Sequence, residues 1–335
     1  NIFNFMHWAK KQFNINQKSI LSNFNPLYFD NSVFDFYNSI FNGAKLVCFS
    51  NQELILNNKI GNKIIEHKIT IWFSVPSLII YFLKFGLFKK FKFPYIKYII
   101  FGGEGFPKSK LKELKDSISK NTNLINVYGP TECTCICSYY KIEKSDFKKN
   151  EMKRLPPLGK LIKPFTYYII KKRDNKKSNF VKSKRGELLL CGQNVGLGYV
   201  NDHLKTNENF IKNPFNKTKK KSCYLTGDIV ELKNNKLYFI GRKDQQIKIN
   251  GYRVEIGEIE HAINNINKID ETCVIYSKKK QLICYVVGKI SANEIKAKLK
   301  RIIPTYMIPR VFVFKKKLVK NKNGKIDRKK LTLQS

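Results

Sequence analysis

The chain has 335 residues, of which 42% are hydrophobic, and its formal net charge at pH 7 is +39. This length and apolar content are enough for two or three lobes with buried cores, which excludes general disorder. The apolar runs are shorter than the roughly 20 residues of a membrane-spanning helix, so we expect no membrane insertion. Basic residues are spread along the chain without interleaved aromatics, a pattern that favours coding bias over nucleic-acid binding.

The amino terminus and the cysteines bear on the cellular setting. The segment that starts at Asn1 lacks the charged cap and long apolar core of a signal peptide. Eight cysteines follow no regular disulfide framework, which favours a reduced, cytoplasmic setting. Cys133, Cys135 and Cys137 alternate as residues on one face of a strand do. They lack a CxxC pair and a nearby histidine, so we do not expect them to bind a metal.

Strand-length apolar runs alternate with helix-length segments over the first 150 residues. The runs are 44–49, 70–75, 95–101 and 123–127. This alternation is typical of βαβ units and predicts a mainly parallel sheet. The predicted fold class is therefore α/β, with a large N-terminal lobe over residues 1–243.

The pattern changes after about residue 153. Shorter strands separated by turns predict a β-rich subdomain within the lobe, over about 153–241, with a hairpin turn at Asn234 and Asn235. A polar stretch then precedes a small α+β domain over residues 244–335, with a boundary near Asp244. The predicted strands are 186–191, 224–230, 236–240, 272–277 and 281–287, and the predicted helices of the small domain are 255–264 and 292–301.

The segment Asn126-Val-Tyr-Gly-Pro-Thr-Glu132 directly follows a predicted strand. A Gly-Pro turn at the carboxyl end of a strand exposes N–H groups and side chains to the crevice where α/β sheets bind ligands. Thr131 offers a hydroxyl to phosphate oxygens, and Glu132 offers a hard carboxylate to Mg²⁺. By itself the segment is equally well explained as a turn with a helix-capping threonine.

Two further segments carry charged side chains in turns. Asp228 follows a Thr-Gly turn, so its carboxylate can accept from both hydroxyls of a ribose, and Arg242 can donate to the same nucleotide. The alternative for Asp228 is a turn-forming role. Lys325 follows a glycine in a polar turn, which suits a long cationic side chain that reaches into a distant site.

Taken together, these segments resemble the ANL adenylating enzymes, specifically the amino acid adenylation domains of nonribosomal peptide synthetases and the D-alanine carrier-protein ligases. The resemblance extends over nearly the whole chain. The matching segments are FDNSVFD at 29–35, FGGE at 101–104, VYGPTE at 127–132, GELLLCG at 186–192, GY at 198–199, LTGD at 225–228, GRKDQQIKINGYRVEIGEIE at 241–260 and NKNGKIDR at 321–328.

The resemblance implies that ATP and Mg²⁺ are the cofactors. Glu132 is implied to hold the metal, and Thr131, Glu132 and Lys325 are implied to be catalytic. Lys325 would bridge the substrate carboxylate and the α-phosphate, and Asp244 would be the hinge of the small domain. The residues implied to contact the nucleotide are Gly102, Gly103, Glu104, Tyr128, Gly129, Thr131, Asp228, Arg242 and Lys325.

The implied substrate is an amino acid. Asp30 matches the acidic residue that pairs with the substrate ammonium, and a buried carboxylate without a cationic partner would be costly. The other implied pocket residues are small or apolar apart from Phe34, which favours a small uncharged amino acid such as D-alanine or L-alanine. They are Asn31, Phe34, Ser74, Ile100, Gly102, Val127, Cys135 and Ile136.

The implied reaction has two halves. The amino acid carboxylate attacks the α-phosphorus of ATP, with release of pyrophosphate, while Mg²⁺ and Lys325 offset the repulsion between the anions. The phosphopantetheine thiol of a separate carrier protein then takes the aminoacyl group. The basic surface of this chain would steer an acidic carrier.

Family members carry a Ser/Thr/Gly-rich phosphate loop upstream of the segment matched by Asn1, and it is not seen here. We therefore expect an N-terminally incomplete adenylation domain with very low activity as it stands. One alternative is a non-catalytic remnant that binds nucleotide or carrier protein. Another is a coenzyme A ligase for an acid without an amine, which Asp30 disfavours.

Overall fold

A computed structural model of the chain describes residues 1–50, 52–152, 154–172, 180–216, 222–244, 246–277, 279–320 and 326–333. The chain divides into two compact units, Asn1–Lys243 and Asp244–Ser335. Over the described ranges, no helix combines the length and the apolar character needed to cross a membrane.

A seven-stranded sheet forms the centre of the first unit, in the order β2-β1-β3-β4-β5-β6-β7. Its strands are β1 (Ile20–Asn23), β2 (Lys45–Cys48), β3 (Ile71–Ser74), β4 (Tyr98–Gly102), β5 (Asn123–Tyr128), β6 (Ser138–Lys141) and β7 (Lys160–Leu161). The first five strands are parallel to one another. Strand β6 pairs antiparallel with both β5 and β7. The predicted α/β class and mainly parallel sheet are confirmed.

Helices precede and connect the parallel strands of this sheet. They are α1 (Ile2–Phe13), α2 (Asn38–Asn42), α3 (Asn57–Glu66), α4 (Pro76–Lys84), α5 (Leu87–Lys90) and α6 (Lys108–Ser117), and a π-helical turn (Val33–Tyr37) directly precedes α2. The four predicted strands of this region are present as β2 to β5. The sequence did not reveal β1, because its four residues include only two apolar ones.

The main sheet is buried on both faces, as expected for parallel strands covered by helices. Successive side chains of a strand point to opposite faces, and β3 follows this rule. Phe73 lies in a cluster with Phe5 and Phe13 of α1, whereas Trp72 lies in a cluster with Phe82 of α4. The helices on the two faces thus hold the strand ends in fixed positions.

The second sheet of the first unit is antiparallel. Its strands follow the order β11-β12-β10-β8-β9, and β13 also pairs with β12. They are β8 (Thr166–Lys172), β9 (Phe180–Lys182), β10 (Arg185–Cys191), β11 (Phe210–Lys212), β12 (Ser222–Lys233) and β13 (Lys236–Arg242), with helix α7 (His203–Asn209) before β11. Asn234 and Asn235 have φ of 49° and 56°, which confirms the hairpin turn predicted between β12 and β13. The range predicted for this subdomain is too wide, because β7 pairs with β6 of the main sheet.

The cysteines depart from the sequence-based expectation in two ways. Cys191 and Cys223 lie opposite each other on β10 and β12 and form a disulfide, so not all eight thiols are reduced. The prediction that Cys133, Cys135 and Cys137 lie on one face of a strand is wrong. Cys133 ends a 3-10 helix, and Cys135 has a φ of 67°. Strand β6 begins only after Cys137, and all three thiols are buried.

The second unit is a small α+β fold. A three-stranded sheet, β16-β17-β18, accompanies a separate β14-β15 hairpin. The elements are β14 (Gln246–Ile249), β15 (Tyr252–Glu255), α8 (Ile256–Asn264), β16 (Ile269–Tyr276), β17 (Leu282–Gly288), α9 (Ala292–Leu299), β18 (Val311–Phe314) and α10 (Arg328–Leu333). The two predicted helices and two predicted strands are confirmed. The hairpin was missed because it lies in the stretch interpreted as polar.

Candidate functional site

The carboxyl ends of three parallel strands meet at one edge of the main sheet. Ser74 at the end of β3 pairs with Phe101 of β4, and Gly102 at the end of β4 pairs with Val127 of β5. The segments that continue from β4 and β5 carry most of the predicted nucleotide ligands. In an open α/β sheet this edge is the usual place of ligand binding.

The predicted ribose-binding pair is assembled in the first unit. Asp228 and Arg242 lie opposite each other on β12 and β13. Nη1 of Arg242 donates to Oδ1 of Asp228 at 2.7 Å and to the carbonyl oxygen of Thr226 at 3.0 Å. The hydroxyl of Tyr128, at the end of β5, donates to Oδ2 of Asp228 at 2.6 Å. Three predicted nucleotide residues from distant parts of the chain therefore form one cluster.

Tyr128 acts in this cluster as a donor. Burial raises the pKa of Tyr128 well above its ordinary value, and the neighbouring Asp228 carboxylate raises it further. The phenol therefore keeps its proton at neutral pH. We refer to Tyr128, Asp228 and Arg242 as the carboxylate clamp.

The local structure of β12 fixes the Asp228 carboxylate. The hydroxyl of Thr226 donates to the carbonyl oxygen of Leu188 at 2.8 Å and accepts from the Asp228 amide at 3.1 Å. The intervening Gly227 amide donates to Oε1 of Glu187 at 3.2 Å. The carboxylate bonds to Tyr128 and Arg242 instead of closing a local turn, so the alternative turn-forming role does not describe it.

Glu132 lies in the 3-10 turn after β5. Its backbone carbonyl accepts from the Gly196 amide at 2.8 Å. Its Oε1 accepts from the hydroxyl of Tyr199 at 2.7 Å, and that hydroxyl lies 3.3 Å from the hydroxyl of Tyr224. Tyr199 stands in a matching segment and Tyr224 begins a predicted strand, but the sequence gave no sign that they meet Glu132. The contacts span 67 and 92 residues respectively.

The residues present fit a magnesium ion that is shared with a nucleotide. No group of three His, Cys, Asp or Glu side chains that could hold a metal was found among the residues that the structure describes. Mg²⁺ in nucleotide sites is usually held by one or two carboxylates together with phosphate oxygens and water. A single carboxylate, Glu132, next to the hydroxyl of Thr131 agrees with that chemistry.

Asp30 and Thr131 are brought into direct contact. The Thr131 hydroxyl donates to Oδ2 of Asp30 at 2.7 Å, although the two residues are 101 positions apart. Asp30 is only partly buried, so the premise of a buried carboxylate is wrong for this residue. The structure therefore joins the predicted ammonium ligand to a predicted phosphate ligand at one point.

The buried carboxylate is that of Asp35, in the π-helical turn. It has no exposed surface and accepts from the amides of Asn23 and Asn25 at 3.0 and 3.4 Å. Burial raises the pKa of Asp35 well above its ordinary value, and the hydrogen bonds from the two amides oppose that shift only in part. The sequence could not distinguish it from Asp30, because both acids stand in the same matching segment.

The predicted pocket residues lie close together in the first unit. Apart from Asn31, Ser74 and Gly102, they belong to one apolar cluster. Ser74 is also buried, and its Oγ accepts from Nε1 of Trp72 at 2.8 Å. Of the remaining predicted nucleotide residues, Gly103 follows β4, and Glu104 accepts from the Ser77 amide at 3.1 Å at the start of α4. Gly129 packs against the backbone of Cys135.

Two predicted residues belong to the second unit. Lys325 lies outside the described residues, and Lys320 and Ile326 on either side of it form an antiparallel bridge. Asp244 is the first residue of this unit, and its Oδ1 accepts from the Gln246 amide at 3.1 Å. Their roles stay predictions.

Comparison with known families identifies the class of protein. The model of the AMP-binding enzymes matches residues 1–200, and the model of the AMP-binding enzyme C-terminal domain matches residues 258–325. Because the first match covers more than half of the chain, this chain belongs to the AMP-binding enzyme family. The resemblance inferred from the motifs is confirmed.

Proteins similar to the chain include a bacitracin synthase and a carrier protein ligase. The chain is 32% identical to bacitracin synthase 1 of Bacillus licheniformis, over 95% of this chain and 6% of that protein. It is 30% identical to the D-alanine–D-alanyl carrier protein ligase of the same species, over 99% of this chain and 66% of that protein. The chain thus spans at most about two thirds of these relatives. A Vibrio cholerae adenylation domain solved with glycyl-adenosine-5′-phosphate shares the fold, with a TM-score of 0.81 and 24% identity over 98% of this chain and 61% of that one.

Proposed function

We propose that this chain activates a small amino acid as its aminoacyl adenylate, and that the aminoacyl group then passes to the thiol of a carrier protein. The carboxylate clamp is the observation that carries the proposal. It offers a fixed pair of carboxylate oxygens beside a guanidinium, which is the chemistry that recognises the two hydroxyls of a ribose. The family to which the chain belongs supports AMP as the nucleotide product.

In the proposed site, Asp228 accepts from the ribose hydroxyls, Arg242 orients Asp228, and the ring of Tyr128 packs beside the adenine. Gly102, Gly103, Glu104 and Gly129 line the nucleotide from the strand ends. Thr131 donates to a phosphate oxygen, and Glu132 is the protein ligand of Mg²⁺. When bound, Mg²⁺ supplies positive charge that stabilises the phosphates during phosphoryl transfer.

The first half-reaction forms the bond between a carboxylate oxygen of the amino acid and the α-phosphorus, and it breaks the bond from that phosphorus to pyrophosphate. Lys325 holds the attacking carboxylate and an α-phosphate oxygen together, which lowers their mutual repulsion. Removing such a cation typically slows the step about a hundredfold or more. An ATP-consuming reaction of this kind fits a cytoplasmic setting.

Asp30 is proposed to bind the substrate ammonium. Its contact with Thr131 supports this assignment, because an ammonium placed against Asp30 lies beside the residue proposed to bind phosphate. Phe34 and Cys135 are buried in one apolar cluster, which supports a small uncharged amino acid such as alanine.

The second half-reaction transfers the aminoacyl group to the phosphopantetheine thiol of a separate carrier protein, with AMP as the leaving group. Asp244 is proposed as the hinge at which the second unit changes position between the two halves. The net charge of +39 supports an acidic carrier, because unlike charges speed the encounter.

Amino-acid-dependent exchange of labelled pyrophosphate into ATP tests the first half-reaction. We expect exchange with a small amino acid, at a low rate, and its loss in Asp228→Asn and Lys325→Ala. The matched control is Asp116→Asn, which changes an exposed acid on α6 and should leave exchange intact. If AMP binds through the clamp but no amino acid in the panel drives exchange, the chain is a nucleotide-binding remnant and the catalytic proposal is wrong.

A further inference from the structure

We propose that Tyr199 and Tyr224 are positioning residues that hold the Glu132 carboxylate in place for the metal of the nucleotide complex. The inference rests on the proposed function, because it assigns Glu132 to Mg²⁺. It adds two residues to the site from the antiparallel sheet and the segment beside it. Neither residue is expected to contact substrate.

The need for such support follows from the backbone around Glu132. The 3-10 turn that carries it is only three residues long, and the next two residues, Thr134 and Cys135, have φ of 63° and 67°. A glutamate side chain also has three rotatable bonds, so ordering it costs side-chain entropy. External donors that fix the carboxylate remove this cost before the metal arrives.

Tyr199 is itself firmly held. Its amide donates to Oγ1 of Thr206 in α7 at 2.8 Å, and its ring packs edge to face on Phe210 at 5.3 Å. The preceding residue, Gly198, allows this approach, because a Cβ there would lie 2.5 Å from Cγ2 of Thr206. The Tyr199 side chain is therefore held in the conformation in which its hydroxyl donates to Oε1 of Glu132 at 2.7 Å.

Tyr224 supports the same contact from β12. Its position on that strand is fixed by cross-strand pairing with Leu190 of β10 and with Phe210 of β11, and its ring also packs on Phe210. Its hydroxyl lies 3.3 Å from the hydroxyl of Tyr199.

The two phenols hold the Glu132 carboxylate through its Oε1 atom. They also restrict the direction from which a cation can approach. Residues that hydrogen-bond to a metal ligand and hold it in place usually contribute about tenfold or more to metal affinity. We therefore expect the tyrosines to act on metal binding and not on recognition of the nucleoside.

The test uses the whole chain with Mn²⁺ as the metal probe and α,β-methylene-ATP as the nucleotide, with bound metal measured by electron paramagnetic resonance. We expect Tyr199→Phe to weaken Mn²⁺ binding about tenfold, and Tyr224→Phe by a smaller factor. Binding of AMP without metal, measured by calorimetry, should stay within about twofold of the wild type. The matched control is Tyr168→Phe, which removes a hydroxyl from β8 of the same sheet.

A double-mutant cycle separates positioning from a general structural effect. If the tyrosines act through Glu132, Tyr199→Phe should change nothing further in a Glu132→Gln background. An equal loss of AMP binding, or an effect that persists in that background, would overturn the inference. If the wild-type chain binds AMP but no Mn²⁺, the inference about the tyrosines is wrong, and the ribose-binding role of the carboxylate clamp is unaffected. If the wild-type chain binds neither, the proposed function itself is wrong.

Discussion

The Asp228 carboxylate receives hydrogen bonds from two chemically different donors. Arg242 is its cross-strand neighbour and provides a charged donor, whereas Tyr128 reaches it from the other sheet and provides a neutral one. The Asp228 side chain is 9% exposed and the Arg242 side chain 17%, so solvent screens the pair only weakly. Loss of either partner would leave a nearly buried charge without its support.

The sequence predicted that these residues act together, because their spacing matches a family pattern. It could not predict contacts between segments that are far apart in the chain, such as Tyr199 with Glu132 or Thr131 with Asp30. It also assigned burial to the wrong acid. Burial depends on the course of the backbone through the π-helical turn, which carries Asp35 inward while Asp30 remains partly exposed.

The buried Asp35 carboxyl makes the stability of the first unit depend on pH. Its folded pKa is raised, so below about pH 4 the carboxyl is protonated in both the folded and the unfolded chain. As the pH rises above 4, the unfolded chain releases this proton and the folded chain retains it, which favours unfolding. The contribution of Asp35 to stability is therefore present at low pH and lost as the pH rises toward its folded pKa.

We expect Asp35→Asn to become more stable relative to the wild type as the pH increases from 4 to 7, because the amide has no proton to lose. The measurement is the free energy of unfolding of both proteins by denaturant at several pH values. Burial raises the pKa of the nearby Cys135 thiol, which therefore stays neutral over this range. Asp116→Asn, at an exposed position, should show no trend, and a difference for Asp35→Asn that is the same at pH 4 and 7 would contradict the account.

At the scale of elements, the turn after β5 depends on a close approach of two backbone segments. A Cβ at Gly129 would lie 2.1 Å from the carbonyl oxygen of Cys135. Real Cβ atoms do not come this near to backbone oxygen, so the turn would have to open. That opening would displace Thr131 and Glu132, which follow directly.

Gly129→Ala should therefore lower the free energy of unfolding of the first unit by about 1–3 kcal/mol, the usual cost of overpacking. It should also weaken nucleotide binding. Gly241→Ala on β13 is the matched control, because no atom lies within 4 Å of a Cβ there. Equal stability of the two variants, measured by denaturant titration, would show that the turn tolerates a side chain and would contradict the packing described here.

The sequence predicted the elements with strong apolar periodicity and missed those fixed by pairing. Strands β3 and β5 are mostly apolar and were predicted, whereas at least half of the residues in β1 and β14 are polar and these strands were not. Strand β7 has two residues and exists because it pairs with β6. The Cys191–Cys223 disulfide likewise follows from cross-strand register, which no spacing of cysteines in the sequence reveals.

At the scale of the whole molecule, the order of the motifs was sufficient to predict the family and the α/β class. The reason is physical, because each motif marks a strand end or turn that must carry a particular side chain for nucleotide chemistry. The chain divides into two units. The first holds the carboxylate clamp, Glu132 and the buried apolar residues, and the second contains Lys325 and the proposed hinge Asp244.

The most direct test of the proposed aminoacyl adenylate site is calorimetric binding of two stable analogues to the whole chain. One is alanyl-sulfamoyl adenosine, and the other is its propionyl counterpart, which lacks only the amine. We expect the alanyl compound to bind about ten- to a hundredfold more tightly, the range for a hydrogen-bonded charge pair, and Asp30→Asn to abolish this preference without changing propionyl binding. Equal binding of the two compounds, or no binding of either, would contradict the account.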